Sequence, residues 1–413
     1  KTIGLNETSM SCSTLSVLLD RALRNASSTA YRRHPLFLRL KELARSRNSF
    51  FELHRLLTRE GLLSQPRDYT TLITILGKGG AWREAVSSLA SMRHSTLEPN
   101  VTTFSAAMSA CSSAHQAGRA LELFGQMPAH GVKPNVVAYS AAIAACERAY
   151  KWEHALEIMA RMRQHGVVAT AVTYGALISA LGKCGHWVGA LQLFADMRTN
   201  EVLPNVITYN ATINASEKGR VWELAICLFE GMGADYISPD AFTFSSVISA
   251  CEKGRQWVAA LAFLAEMFAR SLGANLVAYS AAIAACSRGS QWVRALHMFE
   301  VLPSRRLAPD LVVHNIAISA CEEGWRWEQA LSLLSVLPRR SLAPSLVTYN
   351  TSLSACVKAG AWGPALALLE EMRGRRLQPD AKAAISDVEA WTRSGLHRHA
   401  AESLRARRLP SRT

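Results

Sequence analysis

An aromatic residue or a close substitute returns at a fixed interval of 35 along most of the chain: Tyr69, Phe104, Tyr139, Tyr174, Tyr209, Phe244, Tyr279, His314 and Tyr349. A period of that length, kept without slippage, argues against one globular core. It specifies a stacked array in which each unit touches only its neighbours. It also overrides the two or three domains that a length of 413 residues otherwise suggests. Hydrophobic residues make up 49% of the chain, so the material for a continuous core is present.

One unit, 206–240, reads VITYNATINASEKGRVWELAICLFEGMGADYISPD. Ile207, Tyr209 and Ile213 begin a helical pattern that fades at Ser216, Glu217, Lys218 and Gly219. A second pattern starts at Trp222 and continues through Ala225, Ile226, Phe229 and Met232, along one face of a helix. Gly219 is read as the end of the first helix and Pro239 as a block to continuation of the second. Each unit therefore predicts two antiparallel helices of roughly twelve residues, too short to be stable without neighbours. Eight units open the second helix with Trp, and Ala stands three residues later in all nine, from Ala85 to Ala365. A fixed small residue beside a large ring indicates a close helix crossing with an indole filling the adjacent gap.

The fold class read from these patterns is all-α: a right-handed α-α superhelix, or solenoid, of stacked helical hairpins. The expected organisation is a non-repeat leader at 1–30 and a degenerate repeat or N-terminal cap at 31–65. Nine tandem units follow at 66–380, then a degenerate capping hairpin at 381–404 and a basic tail at 405–413. The sequence does not begin with Met and is read as a fragment or processed form. Glu7 and Asp20 depart from a clean transit peptide.

Of nine Cys, six (Cys111, Cys146, Cys251, Cys286, Cys321, Cys356) share one place in the unit, where Leu76, Leu181 and Ser216 also occur. A site that accepts Leu is a packing site, not a metal or disulfide site. The longest uncharged apolar stretches, Val136–Cys146 and Leu276–Cys286, contain Ser and are too short to span a bilayer, so no membrane partner is expected. The formal net charge of +14 points toward a polyanion.

The run Val206-Ile207-Thr208-Tyr209-Asn210, the Gly turn, the Ala-x-x-x-Phe of the second helix and the closing Pro-Asp resemble the pentatricopeptide repeat family, in its pure 35-residue form, over about three quarters of the chain. The related tetratricopeptide repeat has a period of about 34 and lacks the Tyr-Asn opening. The resemblance implies single-stranded RNA as partner, read one base per unit, in an organelle (chloroplast or mitochondrion), with other RNA-processing proteins as further partners. It implies that the fifth and last residues of each unit meet the base edge: Thr70 with Asn100, Ser105 with Asn135, Ser140 with Thr170, Gly175 with Asn205, Asn210 with Asp240, Ser245 with Asn275, Ser280 with Asp310, Asn315 with Ser345, and Asn350 with Asp380. Second residues pack between bases: Val137, Val172, Ile207, Phe242, Val277, Val312 and Val347. The family's pairing rule spells AA??UAGCU from 5′ to 3′, with the Ser140/Thr170 and Gly175/Asn205 units unassigned. The plainer reading of these residues is that Asn caps a helix and Asp ends a turn.

The thirteenth residue is basic in seven units: Lys78, Arg148, Lys183, Lys218, Lys253, Arg288 and Lys358; Ser113 and Glu323 are the exceptions. Cations there favour the helix C-terminus by under about 1 kcal/mol each. Aligned by stacking, they also form a line suited to phosphates. Deaminase zinc motifs and clustered nuclease carboxylates are missing from the sequence, and Gly77-Lys78-Gly79-Gly80 lacks the Ser/Thr of a phosphate loop. The expectation is therefore no enzyme activity, no cofactor and no small-molecule substrate. A protein-binding solenoid, or a piece of a protein whose catalytic domain lies elsewhere, is the alternative.

Overall fold

In the computed structural model, residues 65–375 are described, together with Leu63 and Leu377, apart from 95, 96 and 274. The expected leader, the cap up to residue 62, the capping hairpin, the tail and Asp380 lie outside the described residues. The described secondary structure is helical. In order the helices are α1 (Pro66–Gly79), α2 (Trp82–His94), α3 (Val101–Ser113), α4 (Ala117–Gln126), α5 (Val136–Arg148), α6 (Trp152–Gln164), α7 (Ala171–Lys183), α8 (Trp187–Thr199), α9 (Val206–Lys218), α10 (Trp222–Ala234), α11 (Ala241–Lys253), α12 (Trp257–Ala269), α13 (Leu276–Arg288), α14 (Trp292–Val301), α15 (Leu311–Glu323), α16 (Trp327–Arg339), α17 (Leu346–Lys358) and α18 (Trp362–Gly374). Short 3₁₀ turns, Pro128–His130 and Pro303–Arg305, replace the last turns of α4 and α14, whereas α16 runs on through Pro338 at the same place in the unit.

The chain forms two compact units, Lys1–Ala215 and Ser216–Thr413. In the first, the odd-numbered helices pack in series, α1 on α3, α3 on α5 and α5 on α7; α2, α4 and α6 each bridge their own first helix and the next. In the second, α11, α13, α15 and α17 form the same series, bridged by α12, α14 and α16. First helices thus make a continuous layer within each unit, with second helices laid across its seams.

The period explains the core. Tyr69, Phe104, Tyr139, Tyr174, Tyr209, Phe244, Tyr279, His314 and Tyr349 are all buried. So are the Ile, Met or Leu four residues later and every invariant Ala of the second helices. A Phe of one second helix meets the aromatic ring of the next first helix edge-on: Phe124 with Tyr139 at 5.3 Å, Phe194 with Tyr209 at 4.9 Å, and Phe229 with Phe244 at 5.0 Å. Each such pair adds about 0.5–1.5 kcal/mol to its area term and ties consecutive hairpins together. The repeated cysteines are buried, and burial lifts Cys111, Cys146, Cys251, Cys286 and Cys356 to about 11 and Cys321 to about 12. They remain neutral thiols that fill space.

Two readings of the hairpin change. The left-handed residue is the fifteenth of the unit, one place beyond the expected turn Gly: Tyr150, Arg220, Arg255, Ser290 and Trp325 have φ between 57° and 58°, and Gly80, Gly185 and Gly360 hold the same place in three other units. Gly324 itself has φ −87°, an ordinary value. Glycine is required there for space, because a Cβ on Gly324 would stand 2.6 Å from Trp292 of the preceding hairpin. The repeated Trp is accordingly half-buried, its ring laid on the next inter-helix turn and not in the central core.

Candidate nucleic-acid interface

Three positions of the first helix and the residue before it carry the expected site. The second residues project outward. Val137, Val172, Ile207, Phe242, Val277, Val312 and Val347 are 55–67% exposed. Six aliphatic side chains and one Phe, each more than half exposed on seven consecutive first helices, bury little, so the hairpin core does not explain them.

The last residues cap the following helices. The Oδ1 of Asn100, Asn135, Asn205 and Asn275 accepts from the backbone N–H three residues on at 2.9, 3.1, 2.9 and 2.8 Å. Asp240 and Asp310 do the same at 2.8 and 2.9 Å, and Ser345 at 3.3 Å. The plainer reading of this position is therefore correct as geometry. Capping fixes the side chain and uses one of its two terminal atoms. The other atom is a donor, Nδ2, in Asn and an acceptor, Oδ2, in Asp. A pinned group of known polarity is what selective pairing with a base edge needs.

The fifth residues range from half-buried to buried, and Ser140, Gly175 and Ser245 lie against the following repeat. Asn210, Ser105 and Ser245 are buried, and the Cβ that Gly175 lacks would reach only to 3.5 Å from Thr208. The hydroxyls of Thr70, Ser105, Ser245 and Ser280 donate to the carbonyl one turn back, at 2.6–2.9 Å. Ser245 also lies 3.3 Å from Asn275 Oδ1, which brings fifth and last residues of one unit together. In the Ser140/Thr170 unit, Thr173 takes both hydroxyls, at 2.9 and 3.2 Å. Asn315 Oδ1 and Asn350 Oδ1 are buried with no hydrogen-bond partner. Such an atom costs about 1–3 kcal/mol until a donor reaches it.

The cation line has a partner that the sequence reading missed. The Glu immediately before the thirteenth residue reaches the cation of the next unit: Glu147 to Lys183 at 2.9 Å, Glu217 to Lys253 at 2.8 Å, Glu252 to Arg288 at 2.7 Å, and Glu322 to Lys358 at 3.0 Å. A Ser of the same next helix completes three of these clamps: Ser179, Ser249 and Ser354, at 2.6–2.7 Å. Burial raises the carboxyl of Glu252 above its usual range. Paired to Glu322 and Glu323, Lys358 holds its proton more tightly although burial opposes this. Ser112 and Gly182 stand where Glu precedes other cations, and Arg148 and Lys218 are exposed with no carboxylate on them. Lys78 is exposed at the end of α1. The signal for the clamps was in the sequence, as Glu at one register and cation 36 residues on. Only the stacking reveals that they meet.

Among the described residues no group of three His, Cys, Asp or Glu could hold a metal ion, and no helix is long and apolar enough to cross a membrane.

Stacked hairpins, seven of them with an exposed apolar residue on the first helix, define a helical-repeat protein. Sequence profiles identify the repeat. The PPR repeat family matches 169–218, the pentatricopeptide repeat domain matches 53–114 and 122–184, and the PPR repeat matches 102–132, 242–272 and 347–377, together more than half of the chain. The chain belongs to the pentatricopeptide repeat family. Its fold is similar to the crystal structure of the pentatricopeptide repeat protein PPR10 in complex with an 18-nt psaJ RNA element, with TM-score 0.66 and 20% identity. That match covers 97% of this chain and 63% of the other, so this chain spans less than two thirds of its relative. PPR10 from maize matches at TM-score 0.53 and 20% identity, over 86% of this chain and 60% of that one. No curated protein gave a significant match.

Proposed function

We propose that this chain binds single-stranded RNA sequence-selectively, one base per hairpin, with the base seated between successive exposed second residues. The observation that carries the reading is the recurrence, on seven first helices from Val137 to Val347, of an exposed apolar second residue beside a polar last residue that caps the following helix. Aliphatic contact with a base face is sequence-tolerant, and the polar pair then selects the edge. The unpartnered Asn315 Oδ1 and Asn350 Oδ1 accept donors from the base. Exchange of Asn for Asp at the last position changes an offered donor into an acceptor.

The proposed site is AA??UAGCU. Arg148 and Lys218, free of carboxylates, carry the phosphate contacts, and the clamped cations hold the stack. The chain acts by occupying RNA, without chemistry of its own, in organellar transcript processing, stability, editing or translation. RNA bound in PPR10 supports the reading by likeness of family and fold. Selection of bound sequences from a random RNA pool tests it. Enrichment of UAGCU preceded by two unselected letters is the expected result; a pool without positional preference contradicts it.

A further inference from the structure

The repeated Trp rings lie between hairpins, and among the described residues guanidinium groups cover three of them: Arg83 lies over its neighbour Trp82 at 5.4 Å, and the other two come from the following hairpin. Arg294 sits over Trp257 of the preceding hairpin, 4.6 Å from the ring centroid. Arg326, from a different place in the unit, lies over Trp292 at 5.8 Å. Both distances are in the range of a cation–π contact.

The same two places beside Trp152 are filled differently. The place of Arg326 is taken by His186, whose ring lies 4.2 Å from that of Trp152. The place of Arg294, 37 residues after the Trp, is held by Gly189. Beside them lies an open surface pocket of about 430 Å³, lined among others by Trp152, Leu156, His186, Trp187, Gly189 and Asp196. A Cβ added to Gly189 would touch only Leu181, at 3.5 Å. The Gly is therefore not demanded by packing. Asp196 stands at the rim, half exposed, with Arg163 at 3.8 Å, the outer limit of an ion pair. Among the lining residues none belongs to the fifth, second or last positions of a unit.

We infer that this cavity is a docking site for an arginine side chain of a partner protein. The guanidinium enters the place that Arg294 fills beside Trp257, lies against the Trp152 indole and pairs with the Asp196 carboxylate. A weakly hydrated, planar cation suits aromatic walls with a carboxylate at the rim better than an ammonium does. The site lies apart from the face proposed for RNA, so both are occupied together.

The test titrates N-acetyl-L-arginine N-methylamide into the full chain and follows the Trp152 indole N–H by NMR, assigned with Trp152→Phe. A saturable shift at millimolar concentration is expected, with no shift from the neutral citrulline counterpart. Asp196→Asn weakens the effect at least threefold. Gly189→Arg abolishes it by filling the cavity from within, and Gly189→Ala, which leaves the cavity open, retains it. No saturable shift, an equal shift from citrulline, or undiminished binding by a folded Gly189→Arg protein overturns the proposal. Binding of free L-arginine but not of the blocked amide also overturns it, since the site would then serve a small molecule.

Discussion

Asn210 shows how much one side chain is asked to do. It is buried, and Asp240 is pinned by its bond to the Thr243 N–H. Shortening the amide to a hydroxyl leaves a smaller group that offers a different edge. Asn210→Thr is expected to move preference at one RNA position from U to G, read by selection from a random pool; an unchanged preference counts against pairwise reading. His314 gives a second test. It occupies the place of the buried Tyr, its Nδ1 lies 2.8 Å from the Asp310 carbonyl, and burial lowers it below 6.5. The folded state holds the ring neutral, while the unfolded chain takes up a proton near 6.5. Stability is therefore lost as pH falls below that value. His314→Tyr is expected to lose less melting temperature than the parent between pH 7.5 and 5.

At the scale of the helix, the sequence carried much of the design. The thirteen-residue helices, the aromatic core position and the invariant Ala all follow from the period, because each hairpin repeats the same burial. What the period concealed was contact between units. The first helix does end beside Gly219, at Lys218, but the left-handed turn falls on Arg220, and the Gly324 position is small for the sake of a Trp in the preceding hairpin. The Glu–cation clamps escaped for the same reason. Lone residue types do not announce a partner 36 places away. Close approach also explains Gly77 and Gly182, where an added Cβ would lie 2.7 Å from Ala110 and 3.0 Å from Ala215. Gly77→Ala gains helix propensity but forces the layer apart, and is expected to cost about 1–3 kcal/mol in chemical denaturation. The clamps predict a division of labour between cations. Lys253→Ala strands Glu217, 13% exposed, and lowers stability by about 1 kcal/mol. The double change Arg148→Ala and Lys218→Ala leaves stability unaltered. It lowers the slope of log affinity against log salt by roughly 1.4.

Over the whole chain, repetition converts weak local preferences into selectivity. On the proposed reading, no single hairpin offers more than one apolar contact and one polar pair, and it is their repetition that addresses a run of nucleotides. The basic excess of +14 adds attraction that is indifferent to sequence, so affinity should fall with salt while the preferred sequence stays the same. The two unassigned units differ physically from the rest. Ser140 and Thr170 are both tied to Thr173, and Gly175 has no side chain to offer. The most direct measurement is selection of RNA bound by the full chain from a random pool at moderate salt. The account predicts UAGCU with two indifferent letters before it, in the order of the hairpins from N- to C-terminus. Tight binding with no such register, or the same register in reverse order, would contradict it.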